Sequence, residues 1–283
     1  MIALIIRDMK TTTANLIDRS KYPMTALDCD AGRALIARMR SELDRDGACC
    51  LPNFLSDAGV ERLANEARSL APLAYPGPTQ ASPYFFNYRS AEAAKLPEDH
   101  PLRMKSPRRL SQVAFDLIPA SSPLRALYEW DGLATFLAAA LNVTRLYRNA
   151  DRFQALNISV MKPGGCQQWH FDTSECVITL FLQAPEDGGD FEYVPGIRSD
   201  EDENYDAVRA IMQGGRKGVR TISLRPGTLM LFRGRYSLHR VTEVTGKRER
   251  LQSIFGFNPK PGVKGSLETN ILHYGPRVME MES

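Results

Sequence analysis

The chain is poor in several things, and each shortage narrows what it can be. Only four histidines occur among 283 residues, so any site that needs imidazole must draw on very few positions. The five cysteines (Cys29, Cys49, Cys50, Cys166, Cys176) are odd in number and contain no Cys-x-x-Cys pair. That argues against a disulfide framework and against a thiolate zinc site. Formal net charge is only +3, with arginines scattered among acids rather than drawn into a stripe, so no nucleic-acid surface is expected. No hydrophobic run is long enough to span a bilayer. The apolar start "MIALII" is shorter than a signal-peptide core and meets Arg7, Asp8 and Lys10 at once. The expectation is a cytoplasmic protein with no membrane or nucleic-acid partner, and nothing in it indicates an oligomeric state. What remains, 43% hydrophobic and 24% charged residues, is an ordinary globular composition able to bury a sizeable core.

No repeat or low-complexity tract divides the chain, so one domain over residues 1–283 is expected. Its portion up to about residue 150 reads mostly helical. "AGRALIARMRSELDRDG" carries Leu35, Ile36 and Met39 at helical spacing before Gly47, and Ser56 is placed to cap "DAGVERLANEARSL". "ACCLPNFL" between them reads as a short buried strand, and "SPLRALYEWDGLATFLAAALN" as one further helical stretch. From about 151 to 260 the texture changes to short apolar runs ("LNISVM", "CVITLFLQ", "FEYVP", "TISL", "LMLF", "LHRVTEV", "LQSIFGF") cut by Gly/Pro turns. Many short strands at such spacing predict an α+β fold in which helices pack outside a double-sheet jelly roll. "DEDENYDAVRAIMQGG" reads as a helical insertion with a solvated acidic face. Residues 261–283 form a C-terminal segment.

Within "WHFDTSE", His170 and Asp172 stand two apart, and in a strand such residues share a face. A third ligand is needed, and His239 in "SLHRVTEV" lies on a later predicted strand. Two histidines and one carboxylate, leaving other positions open, is the arrangement of non-haem Fe(II) oxygenases. His-x-Asp alone also arises by accident. The reading strengthens because His239 is followed by a basic hairpin, "TGKRER", leading into the apolar strand "LQSIFGF". Arg250 or Arg248 can there hold a dicarboxylate through a bidentate pair, or both can be solvated hairpin charges.

These residues resemble the Fe(II)/2-oxoglutarate-dependent dioxygenase superfamily, whose signature is His-x-Asp/Glu, a distal His, and an Arg or Lys some ten residues beyond it. "WHFDTSECVITLFLQAPEDGGDFEYVPGIR", "DENYDAV", "LRPGTLMLFRGRYSLHRVTEVTGKRERLQ" and "LHYGPR" are similar, in that order, to its branch of free amino acid hydroxylases and radical halogenases. The resemblance covers roughly residues 85 to 277 and implies a double-stranded β-helix (jelly roll, cupin-like). It implies iron ligation by His170, Asp172 and His239, with 2-oxoglutarate and O2 as co-substrates. Arg250 is the favoured partner of the distal 2-oxoglutarate carboxylate and Arg248 the other choice; Gln252 stands where some members carry a hydroxyl. Halogenases of this branch resemble hydroxylases whose carboxylate ligand is replaced by a small residue. Asp172 therefore implies hydroxylation of an unactivated C–H bond, with desaturation, cyclisation or epimerisation as alternative outcomes. A carrier-tethered or peptidyl substrate, or a non-catalytic module binding 2-oxoglutarate or a metal, are the other readings.

The expected substrate is a small polar metabolite, a free amino acid or a derivative. Candidate substrate residues are Gln167, Trp169, Thr173 and Ser174 around the metal strand, with Gln154 and Asn157 on or before the strand leading in. Arg103, Arg108, Arg109 and Arg89 are candidates for a carboxylate, and His273 for closing over the pocket. Amine-binding members resemble one another in carrying an acid where this chain has Thr173, which argues against a basic amino acid. His100 is expected to pair with Asp99, Trp169 more as pocket wall than as reader, and Cys166 to be partly exposed.

Overall fold

The computed structural model describes residues 15–85 and 89–282; "MIALII" lies outside the described residues. Helix α1 (Asp30–Asp46) starts where the Cys29 side chain accepts the Gly32 N–H and stops at Gly47, whose φ of 68° ends the helix in the left-handed region. Its Leu35, Ile36, Met39 and Leu43 are buried along one face. Strand β1 (Ala48–Leu51) follows. Helix α2 (Asp57–Leu70) is capped by Ser56, whose hydroxyl accepts the Gly59 N–H at 3.1 Å. Strands β2 (Tyr75–Pro76), β3 (Gln80–Ala81), β4 (Ser106–Arg109) and β5 (Ser111–Val113) come next. The expected long helical stretch is two helices, α3 (Pro123–Glu129) and α4 (Asp131–Ala140), because Trp130 between them is extended at φ −73° and ψ 120°.

The second half runs β6 (Tyr147–Arg148), β7 (Leu156–Met161), β8 (Cys166–His170), β9 (Val177–Gln183), β10 (Asp187–Gly188) and β11 (Phe191–Val194), then helix α5 (Tyr205–Met212) inside the acidic insertion. It continues through β12 (Arg220–Ile222), β13 (Leu229–Phe232), β14 (Leu238–Val241), β15 (Val244–Thr245), β16 (Arg250–Phe255) and β17 (Phe257–Asn258). Helices α6 (Leu267–Tyr274) and α7 (Arg277–Glu282), which the sequence pattern left unassigned, close the described chain.

Two antiparallel sheets make the jelly roll. The larger has order β1-β13-β9-β16-β7-β5-β2, and the smaller β12-β11-β14-β8-β4-β3. Besides β1, which "ACCLPNFL" predicts, strands β2 to β5 of the first half, where the sequence pattern shows no strand, thus contribute to both sheets.

Side chains alternate along the central strands of the larger sheet. Ile178, Leu180 and Leu182 of β9, Leu251 and Phe255 of β16, and Leu156, Ile158 and Val160 of β7 join the apolar cluster with α1, α2 and α4. Their sequence neighbours Thr179, Arg250, Gln252, Ile254, Asn157 and Ser159 line a cavity on the other face. Period-two alternation separates packing from chemistry, and because both faces are covered the strands read as nearly continuous buried runs. Leu180 is fully buried on the packed face. Leu180→Ala is expected to cost about 2–5 kcal/mol in urea unfolding; a loss below about 1 kcal/mol would show that this face is not closely packed.

Candidate metal centre

Strand pairing brings the two histidines together. In the β14–β8 ladder His239 lies directly opposite His170, whereas Val241 lies opposite Gln167. One extra residue therefore sits on β8 between the two pairs, a bulge that turns both Gln167 and His170 toward the cavity. Gln168 and Trp169 are left against Arg240, whose guanidinium lies 4.6 Å over the Trp169 ring and donates to the Gln168 side-chain oxygen at 3.2 Å.

The imidazole rings of His170 and His239 are 4.0 Å apart between centroids. Each places Nδ1 against the carbonyl two residues earlier, at 2.8 Å to Gln168 and 2.9 Å to Ser237. Those carbonyls accept an Nδ1–H, which leaves both Nε2 lone pairs facing the same space.

Asp172 reaches that space differently from expectation. β8 ends at His170, so strand alternation does not carry the aspartate; instead its backbone N–H donates to the Gly234 carbonyl at 3.0 Å. Asp172 Oδ2 is 3.2 Å from His239 Nε2, and Oδ1 is 3.9 Å from His170 Nε2. One donor atom from each of the three residues lies within 4.8 Å of the others. Burial, and then the neighbouring His239, push the His170 imidazole down to about 3. Burial works to raise the Asp172 carboxyl, but the His239 and His170 rings hold it below the ordinary carboxylate value. A neutral imidazole beside an ionised carboxylate is the donor state a divalent cation requires.

The cavity holding this cluster has a volume of about 780 Å³. Arg250, only 2% exposed, lines it. Its Nε donates to the Gly189 carbonyl at 3.1 Å and its guanidinium lies 4.8 Å over the Phe181 ring. Arg108, buried on β4, places Nη2 3.1 Å from His273 Nδ1. Burial lowers both arginines to about 10, so both remain charged at neutral pH.

Among the described residues, Tyr84 Oη, Arg108 Nε, Thr179 Oγ1 and Arg250 Nη2 are buried without a hydrogen-bond partner, and all four residues line this cavity. A buried donor left unsatisfied costs about 1–3 kcal/mol, and more on a charged group. Four such groups around one cavity fit a site whose partners arrive with a ligand, and the donor set of His170, Asp172 and His239 fits Fe(II).

The cavity is also lined by Gln154, Asn157, Gln167, Thr173, Ser174 and His273. Other expected residues fall elsewhere. Arg248 is exposed and donates to the Ala184 and Pro185 carbonyls, because it precedes the strand that begins at Arg250. Trp169 packs under Arg240 in a satellite apolar cluster rather than on the cavity wall. Arg103 donates to the Leu96 carbonyl beside Glu98, Arg89 is exposed and off the cavity, and Arg109 pairs with Glu243. His100 accepts the Leu102 N–H and sets its ring tilted against that of Tyr205, while Asp99 pairs with Arg209. Cys166 is fully buried.

Residues the sequence reading passed over include Gln112, Thr179 and Phe85. Thr179 was open to detection as the polar member of an alternating apolar run. Phe85 has a φ of 56°, rare for an aromatic residue, and sets its ring edge-on 5.7 Å from that of His170. Nothing local in "PYFFNYR" signals this.

A double-stranded β-helix with two imidazoles and a carboxylate at the head of one cavity defines the class of mononuclear non-haem Fe(II) oxygenases. Residues 94–269, more than half of the chain, match the family Halogenase D (HalD), and the chain belongs to it. It is an Fe(II)/2-oxoglutarate-dependent oxygenase.

Solved structures share the fold at low identity. AviO1 from Streptomyces viridochromogenes Tue57 is 18% identical with a TM-score of 0.54, over 81% of this chain and 97% of that one. A 2OG-Fe(II) oxygenase family oxidoreductase from Burkholderia pseudomallei is 15% identical with a TM-score of 0.52, over 81% and 92%. HygX from Streptomyces hygroscopicus, solved with nickel, 2-oxoglutarate and hygromycin B, is 17% identical with a TM-score of 0.51, over 80% and 88%. No curated protein matches the chain.

Each hydrogen bond to a charged group is worth about 1.5–3 kcal/mol. If Arg250 clamps the co-substrate, Arg250→Ala will raise the KM for 2-oxoglutarate by on the order of tenfold to a hundredfold, while Arg248→Ala leaves it nearly unchanged. Initial-rate measurements of succinate formation decide this, and the reverse pattern would move the clamp to Arg248.

Proposed function

We propose that the chain hydroxylates an unactivated C–H bond of a free amino acid or a closely related small polar acid. The observation that carries this reading is a pair of buried arginines, each with an unpartnered nitrogen, on the wall of the cavity that also holds His170, Asp172 and His239. Two guanidinium groups suit two carboxylates, and the co-substrate accounts for one. Arg250 is assigned to 2-oxoglutarate, leaving Arg108 for an acid substrate. A cavity of about 780 Å³ has room for both molecules.

In this reading His170 and His239 hold Fe(II) through Nε2 and Asp172 holds it through its carboxylate. Fe(II) and 2-oxoglutarate, when bound, supply the activation of O2. The protein's part is position and dryness. The Gln168 and Ser237 carbonyls keep both Nδ1–H groups turned away from the metal, and Phe85, Phe171 and Phe232 wall the cavity against water. Arg108 anchors one end of the substrate so that a fixed C–H bond faces the metal.

The rest of the wall is rich in neutral amides: Gln112, Gln154, Asn157 and Gln167. His273 stays neutral beside Arg108, its pKa lowered to about 3 by burial and then by that guanidinium. The other acids on the wall, Glu203 and Asp200, are paired with Arg198 and Arg235, and Glu268 is exposed. With Thr173 rather than an acid beside the metal cluster, this lining favours a substrate with a neutral polar or apolar side chain over a basic one.

The family name makes halogenation the second reading. Asp172 argues for oxygen insertion, because its carboxylate stands 3.2 Å from His239 Nε2, in the place a halide would need.

The proteinogenic amino acids and their simple derivatives, incubated with Fe(II), 2-oxoglutarate, O2 and chloride, test the reading by product mass. A gain of one oxygen is expected, best with uncharged side chains. A gain of chlorine or a loss of two hydrogens would replace hydroxylation, and turnover only of carrier-bound or peptidyl substrates would replace the free acid. His239→Ala is expected to abolish turnover and tight Fe(II) binding together; undiminished activity would remove His239 from the site.

A further inference from the structure

Asp172 stands beyond the last residue of β8 and has no strand ladder to hold it. Its backbone is tied instead to Gly234, in the segment joining β13 to β14. Asp172 N–H donates to the Gly234 carbonyl at 3.0 Å, and Gly234 N–H donates to the Phe232 carbonyl at 2.9 Å. The side chain lies against the same residue. A Cβ added to Gly234 would overlap Asp172 Oδ2 and stand 2.7 Å from its Cγ and 2.8 Å from its Cβ, closer than real Cβ contacts come. Gly234 is not among the glycines with positive φ, so the position requires glycine for space and not for backbone conformation.

We propose that Gly234 is the positioning residue for the Asp172 carboxylate. Its bare Cα forms the floor on which the carboxylate rests, and its carbonyl fixes the backbone behind it. The proposal rests on the assignment of His170, Asp172 and His239 as iron ligands. The same segment runs on into β14 and His239, so one short connection sets the spacing between the carboxylate and the distal imidazole. A methyl group at 234 would push the carboxylate from its place beside His239 Nε2 and leave the metal to the two histidines.

The test is an anaerobic Fe(II) titration by equilibrium dialysis, in the presence of 2-oxoglutarate, of wild type, G234A, D172G and the double variant D172G/G234A. Melting of each metal-free protein is followed in parallel. Removing a supporting group around a metal site typically costs tenfold to a hundredfold in affinity. G234A is therefore expected to weaken Fe(II) binding about tenfold to a hundredfold, whereas in the D172G background the same change should shift affinity by less than about twofold, since the pair is coupled. If G234A alone lowers the melting temperature, D172G/G234A should regain it, because deleting the carboxylate removes the overlap.

Wild-type affinity in G234A would overturn the proposal. An equal loss in both backgrounds, or a melting defect that D172G does not relieve, would overturn it as well. A wild type that binds no Fe(II) would instead defeat the oxygenase reading beneath it.

Discussion

Everything at this site hangs on the pairing of β14 with β8. Antiparallel neighbours face one another at about 5 Å, and this register sets His239 against His170. The bulge on β8 adds Gln167 to the same wall and turns Trp169 away, under Arg240, which is itself paired with Glu192. With both imidazoles oriented by backbone carbonyls, only the third donor has to come from less regular structure. Asp172 comes from just past the strand end, held by the connection that leads into His239.

The two sheets divide the work by face. The larger sheet presents aliphatic residues to α1, α2 and α4, and its opposite face presents Arg250, Gln252, Asn157, Ser159 and Thr179 to the cavity. Burying a guanidinium group with a nitrogen unpaired lowers stability, and for Arg250 the packed apolar layer that begins one residue along, at Leu251, offsets that loss. Arg250 is not wholly without support, since the Gly189 carbonyl and the Phe181 ring face its guanidinium. Arg108 has His273 on one side. Each thus keeps one nitrogen available to a ligand while the rest of the head group is held still, which lessens the ordering that binding must bring about.

Much of this was legible from local pattern. The cap at Ser56, the stop at Gly47 and the apolar alternation of β7, β9 and β16 depend on residues within a turn or two of one another. The metal cluster was legible because histidine is so scarce that His170 and His239 had few competitors. Other features were not. "SPRRLSQV" is short and polar, and becomes β4 and β5 only because each finds a sheet edge to join. That same pairing places Arg108 opposite Gln167 and buries it, while Arg103 a few residues earlier stays on a turn. The break at Trp130 has no proline or glycine before it to announce it. Arg89, Arg103 and Trp169 were reasonable candidates by composition and proximity in the chain; the bulge on β8 turns Trp169 away, and Arg89 and Arg103 lie on segments outside the strands.

By itself, then, the sequence determined the class of fold, the three candidate donor residues that the fold brings together and the presence of an arginine near the last long strand. Those follow from periodicity and residue chemistry, which act over a few positions. Tertiary structure alone decided that Arg250 faces inward and Arg248 outward, that Arg108 is buried in the cavity wall, and that Asp172 is placed by Gly234 rather than by strand alternation. Such outcomes depend on register between strands up to a hundred or more residues apart, and a shift of one residue in that register would turn Arg250 and Arg108 to the other face.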